Sequence, residues 1–87
     1  MAHILIRHKV ADFARWKSAY DAHAAARKAA GLTEQHLLRS LDNQNEVVLL
    51  LAAADLKKAQ EFIASTDLRE VMQKAGVTDK PDIWFLN

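Results

Sequence analysis

Val47 to Ala54 read VVLLLAAA, eight apolar residues in succession. A strand covered on one side alternates apolar with polar residues, because successive side chains point to opposite faces. Here Val47, Leu49 and Leu51 would occupy one face and Val48 and Leu50 the other, so both faces need cover. A chain of 87 residues builds one domain spanning residues 1–87 and buries a modest fraction of its surface. It cannot easily cover both sides of a sheet by itself, and the pattern therefore predicts self-association through one sheet face.

The rest of the sequence supplies the sheet's other members. Ile4 to Val10 start with a β-branched run that is apolar on both faces. Asp12 is placed to cap a helix over Phe13 to Ala30, which is rich in alanine and free of Gly and Pro. The chain has two glycines, Gly31 and Gly76, and each follows a helical run at the point where a left-handed residue is wanted. Thr33 to Leu41 and Glu46 to Ala53 pair as a hairpin across Asp42-Asn43-Gln44-Asn45. Asp55 caps a second helix, and Ser65 is placed to restart it through Leu68, Val71, Met72 and Ala75. Pro81 then precedes a last strand, Asp82 to Leu86.

The order is βαββαβ, a split βαβ arrangement in the α+β class. It predicts a ferredoxin-like, four-stranded antiparallel sheet with the helices on one face, leaving the other face to a second copy of the chain.

Composition narrows the function classes. Twelve Lys and Arg against eleven Asp and Glu leave a formal charge of +1, with no basic block to select phosphate backbones or anionic lipids. The same strand order serves RNA recognition, where aromatic residues of the central strands stack on bases. HILIRHKV and EVVLLLAA carry no aromatic ring of the Phe, Tyr or Trp kind, so nucleic acid is not an expected partner. No apolar run is long enough for a membrane helix, and the start has no signal-peptide h-region. Cysteine is absent, which fits a reducing, cytoplasmic setting and removes thiolate ligands and thiol nucleophiles.

No His and carboxylate spacing matches a metal motif, and no Gly-rich phosphate loop or Gly-x-Ser-x-Gly elbow occurs. No metal site is expected.

One helical face stands out. Phe13, Trp16, Tyr20, His23 and Arg27 fall within an arc of about 80° at 3.6 residues per turn. Their neighbours on the arc's flanks are alanines, and the charged residues Arg15, Lys17, Asp21 and Lys28 lie away from it, so the stripe should face the sheet. A buried polar residue is more informative than a buried apolar one. His23 and Arg27, one turn apart on the inward side, are therefore the candidate catalytic pair. Trp16 and Tyr20, with His36 from the second strand, are the candidate substrate contacts. Each has a structural explanation as well: Trp16 and Tyr20 as core, Arg27 as a side chain serving the helix C-terminus, His23 as a satisfied core histidine. His3 and His8 lie on opposite faces of the first strand by parity, and each reads as structural or solvated.

DFARWKSAYDAHAAARKAAG, DNQNEVVLLLAAADLKKAQEFIAS and LREVMQKAGVTDKPDIWFL together resemble the small proteins of the dimeric α/β-barrel superfamily related to the antibiotic-biosynthesis monooxygenase and cyclase-like families. The resemblance implies a homodimer in which two sheets close face to face, with a cavity between each sheet and its own helices. It further implies a small-molecule ligand, and oxygenase chemistry on an aromatic or polyketide-like substrate without metal or flavin. A non-catalytic dimeric binding or stress-response protein on the same scaffold is the alternative. Haem-binding members carry a ligating His on the second helix, and Leu56 to Ala75 contains none; no cofactor is expected.

Overall fold

The structure is a computed structural model and describes residues 2–87. Its elements are β1 (Ala2–Lys9), α1 (Phe13–Ala22), α2 (Ala24–Ala29), β2 (Leu32–Arg39), β3 (Glu46–Ala53), α3 (Leu56–Ile63), α4 (Thr66–Lys74) and β4 (Asp82–Leu86). The strands form one sheet in the order β2-β3-β1-β4, with every neighbouring pair antiparallel. This is the ferredoxin-like α+β arrangement that the element order predicts.

Local chemistry fixes most element ends. The Asp12 and Asp55 carboxylates accept from the amides of Ala14 and Lys58, at 3.0 and 3.2 Å. Ser65 Oγ accepts from the Leu68 amide at 3.2 Å and donates to the Phe62 carbonyl at 2.7 Å, so one hydroxyl closes α3 and opens α4. Gly76, at φ +87°, completes a Schellman motif. Its amide donates to the Gln73 carbonyl, and that of Val77 donates to the Met72 carbonyl, at 3.2 and 3.1 Å.

Register then assigns the two faces. Ile4, Ile6 and His8 of β1 stand beside Leu51, Leu49 and Val47 of β3, and all six are buried. Trp16, Ala59 and Ala75 join the same core, which places the helices on this side. The alternate residues form the other face. Leu5 lies between Leu50 and Trp84, and Val48 lies between Arg7 and Leu38. Leu38, Trp84 and Leu86 are 57%, 46% and 43% exposed there. Arg7 is paired on both sides on this face, with Glu46 and with Asp82. No described segment lies over it, so the second face of the VVLLLAAA strand is open.

The structure departs from the expected continuous helix over Phe13 to Ala30: α1 stops at Ala22 and α2 restarts at Ala24. His23 sits at φ −96°, ψ 10°, outside the helical region. Its amide is shared between the carbonyls of Ala19 and Tyr20, at 3.2 Å each. The Tyr20 carbonyl also accepts from Arg27 Nη1 at 2.7 Å. A side chain from two turns further along thus occupies an acceptor that the backbone of an unbroken helix would use.

Candidate functional site

A cavity of about 80 Å³ lies between the helix-facing side of the sheet and the helices. That is well above the space one water needs. Ile6 and Leu49 from the central strands form its floor, and Phe62, Leu68 and Met72 from α3 and α4 form the far wall. The near wall is the stripe predicted from helical spacing: Trp16, Tyr20, His23 and Arg27 all line the cavity.

The stripe is a stack. Trp16, 3% exposed, lies nearly parallel to Tyr20, with ring centroids 4.9 Å apart and planes 21° apart. The Arg27 guanidinium carbon lies 3.5 Å from the centroid of the Tyr20 ring, a cation over a π face. Arg27 pairs with no carboxylate within 4.0 Å among the described residues. Tyr20 Oη donates to Glu34 Oε1 at 2.8 Å. Burial pushes the phenol pKa well above its ordinary value, and the hydrogen bond to the Glu34 carboxylate pushes it the same way. Tyr20 therefore remains a neutral donor committed to Glu34. His23 stacks on Phe62 across the cavity, centroids 5.8 Å apart and planes 26° apart.

His36 is not part of this group. Counting by twos from Glu34 would put both residues on the helix-facing side. A register shift between Glu34 and His36 breaks the count, so that Glu34 stands opposite Leu51 and His36 opposite Leu50. The extra residue of the bulge turns His36 onto the open face, where it is exposed.

In its place the cavity holds a histidine that sequence reasoning passed over. His8 is 3% exposed and lines the cavity. It meets Trp16 edge to face, with centroids 5.4 Å apart and planes 73° apart. Neither of its ring nitrogens has a hydrogen-bond partner. Burial lowers its pKa below the ordinary histidine value, opposed in part by the charge of Asp79, so the imidazole is neutral. The available signal was parity, since His8 shares a face with Ile4 and Ile6. Nothing in the sequence showed which face would receive the helices.

The walls suit a flat apolar body, and the polar groups available to a ligand are His8, His23 and Arg27. Among the described residues, no three His, Cys, Asp or Glu side chains gather in a way that could hold a metal ion, and no helix is long and apolar enough to cross a membrane.

No protein-family model matches the chain, and no curated protein sequence matches it. Solved structures do. SnoaB from Streptomyces nogalater, a cofactor-independent oxygenase, superimposes with a TM-score of 0.71 and 20% identity, covering 95% of this chain and 89% of its own. Two proteins carry the name "putative antibiotic biosynthesis monooxygenase". One, from Bordetella bronchiseptica, has a TM-score of 0.80 at 14% identity and covers 99% of this chain and 94% of its own. The other, from Caulobacter crescentus, has a TM-score of 0.74 at 19% identity and covers 98% of this chain and 86% of its own. With the sheet order above, these likenesses show that the chain shares the ferredoxin-like α+β fold of those proteins.

Proposed function

We propose that the protein holds a small aromatic or polyketide-like molecule in the cavity and acts on it as a cofactor-independent oxygenase or cyclase-like enzyme. The observation that carries the reading is the near wall: a stacked Trp16–Tyr20 pair covered by the Arg27 guanidinium, with His23 beside it. An electron-rich ring seats beside this stack, among the aromatic and aliphatic side chains that line the cavity. The fixed charge of Arg27, with no carboxylate to answer it, favours an anionic form of that ring, which gives up electrons to oxygen more readily. His23 is the group placed to take the proton that leaves. The fold shared with SnoaB, a cofactor-independent oxygenase, supports the class but not the substrate, because one fold hosts many chemistries.

The same reading includes a homodimer formed through the open sheet face. Leu5, Leu50 and Trp84 make an apolar row across three strands, and Leu38 and Leu86 extend it at 57% and 43% exposure. A continuous apolar surface of this kind marks a protein contact.

Oxygen uptake tests the enzyme reading. Metal-chelated, flavin-free protein is incubated with hydroquinones of one to three rings. The native chain should consume oxygen, and His23→Ala or Arg27→Gln should slow uptake by about 100-fold, the scale of a lost acid–base or charge-stabilising group. Binding of the hydroquinones without uptake would leave a non-catalytic binding protein, and absence of both would end the cavity reading.

A further inference from the structure

We propose that His8 is the polar contact at the buried end of the cavity, and that the ligand it selects is a single-ring aromatic acid carrying a hydroxyl. The hydroxyl would meet the His8 imidazole and the carboxylate would lie toward Arg27. The inference rests on the cavity being a ligand site and adds the chemical class of its occupant.

The first support is an imbalance in the core. His8 lies on β1 with Ile4 and Ile6 on its own face and Val47 directly opposite, a setting in which another aliphatic residue would fit without an unmet polar atom. The chain instead places there an imidazole that is 3% exposed and has both nitrogens unpartnered. Buried polar atoms in native proteins are satisfied by protein, water or ligand. Here the protein supplies no partner, and the imidazole lines the cavity.

The second support is the kind of partner such a group takes. A neutral imidazole has one donor and one acceptor nitrogen whichever tautomer is present. A hydroxyl both donates and accepts, so it can answer either nitrogen; a carboxylate answers only the donor and an ammonium only the acceptor. The titratable groups that share the cavity are Tyr20, His23 and Arg27, and Asp79 acts on His8 through its charge. The residues of α3 and α4 at the cavity are apolar. Desolvation outweighs the attraction of Asp79 and holds the ring neutral.

Size and charge complete the class. A volume of about 80 Å³ suits a small occupant, and a single ring is the smallest body that carries a polar group at each end. Arg27 supplies an unanswered positive charge on the helical wall, whereas His8 belongs to the sheet. Between them stand the rings of Trp16 and Tyr20, linked by centroid distances of 5.4 Å from His8 to Trp16 and 4.9 Å from Trp16 to Tyr20. The two polar groups thus sit on different walls of one cavity with aromatic surface between them, and a ring bearing two polar groups would answer both.

Calorimetric titration with 4-hydroxybenzoate and with benzoate tests this on the native chain, His8→Phe, His8→Leu and Arg27→Gln. The native chain should prefer 4-hydroxybenzoate by about tenfold, the value of one buried hydrogen bond. Both His8 variants should lose the preference while still binding benzoate, and Arg27→Gln should weaken both acids alike. In the native chain, the His8 imidazole nitrogen resonances should move with 4-hydroxybenzoate and not with benzoate, a readout that does not depend on any variant folding. Equal binding of the two acids, with unmoved His8 resonances, would mean that His8 is satisfied by water alone; the inference would fall and the cavity reading would stand. Failure of both acids to bind the native chain would overturn the inference, while the hydroquinone experiment decides the cavity reading separately.

Discussion

His8 leaves a signature in acid as well as in ligand binding. Burial holds its folded-state pKa below the ordinary 6.5. As pH falls through 6.5, the unfolded chain takes up a proton at this position that the folded chain refuses, so stability is lost toward acid. Well above that value both states are neutral there and the effect vanishes. Replacing His8 by Phe should therefore flatten the stability profile on the acid side. It should also raise stability at a pH of about 7.5 by about 1 kcal/mol, since two unmet polar atoms leave the core. Urea denaturation of both chains between pH of about 5 and about 7.5 checks the two effects together. A steeper acid loss in the variant would contradict the burial argument.

At the level of elements, the break between α1 and α2 assigns Arg27 a local duty beside any role toward a ligand. Its side chain bonds the Tyr20 carbonyl and lies over the Tyr20 ring. Arg27→Gln should cost about 1–2 kcal/mol from the lost hydrogen bond and cation–π contact, measured by thermal unfolding. A neutral effect would show that the break needs no side-chain support. Most of the frame was legible in the sequence because each end is marked by a residue with a local mechanism: Asp12, Asp55 and Ser65 as caps, Gly76 as the left-handed residue of a Schellman motif. The inward stripe was legible because helical spacing is rigid, and four of its members line the cavity. The break at His23 was not, because an alanine-rich run contains neither Gly nor Pro and the acceptor is taken by a side chain. The bulge was not legible either, because Gln35 carries no turn signal; without it the parity of His36 pointed to the wrong face. His8 was missed for a related reason: an unmet hydrogen bond is a property of the surroundings, and no single residue announces it.

At the scale of the whole molecule, the open face is the largest unmet demand of the fold. Leu50 stands at its centre, flanked by Leu5 and His36. Leu50→Asp would bring an unpaired carboxylate into an apolar contact and should shift the chain from dimer to monomer. Light scattering at low micromolar concentration reads the outcome, and a native chain that is monomeric there would remove the homodimer from the proposal. Leu49 and Leu51 border the cavity, and Leu50, between them in the chain, points the opposite way. The floor of the pocket and the open sheet face are consequently two sides of a partition one backbone thick. In the proposed dimer a neighbour pressed against one side would stiffen the other, and the proposed ligand site and the proposed self-association would then be thermodynamically linked, each able to report on the other.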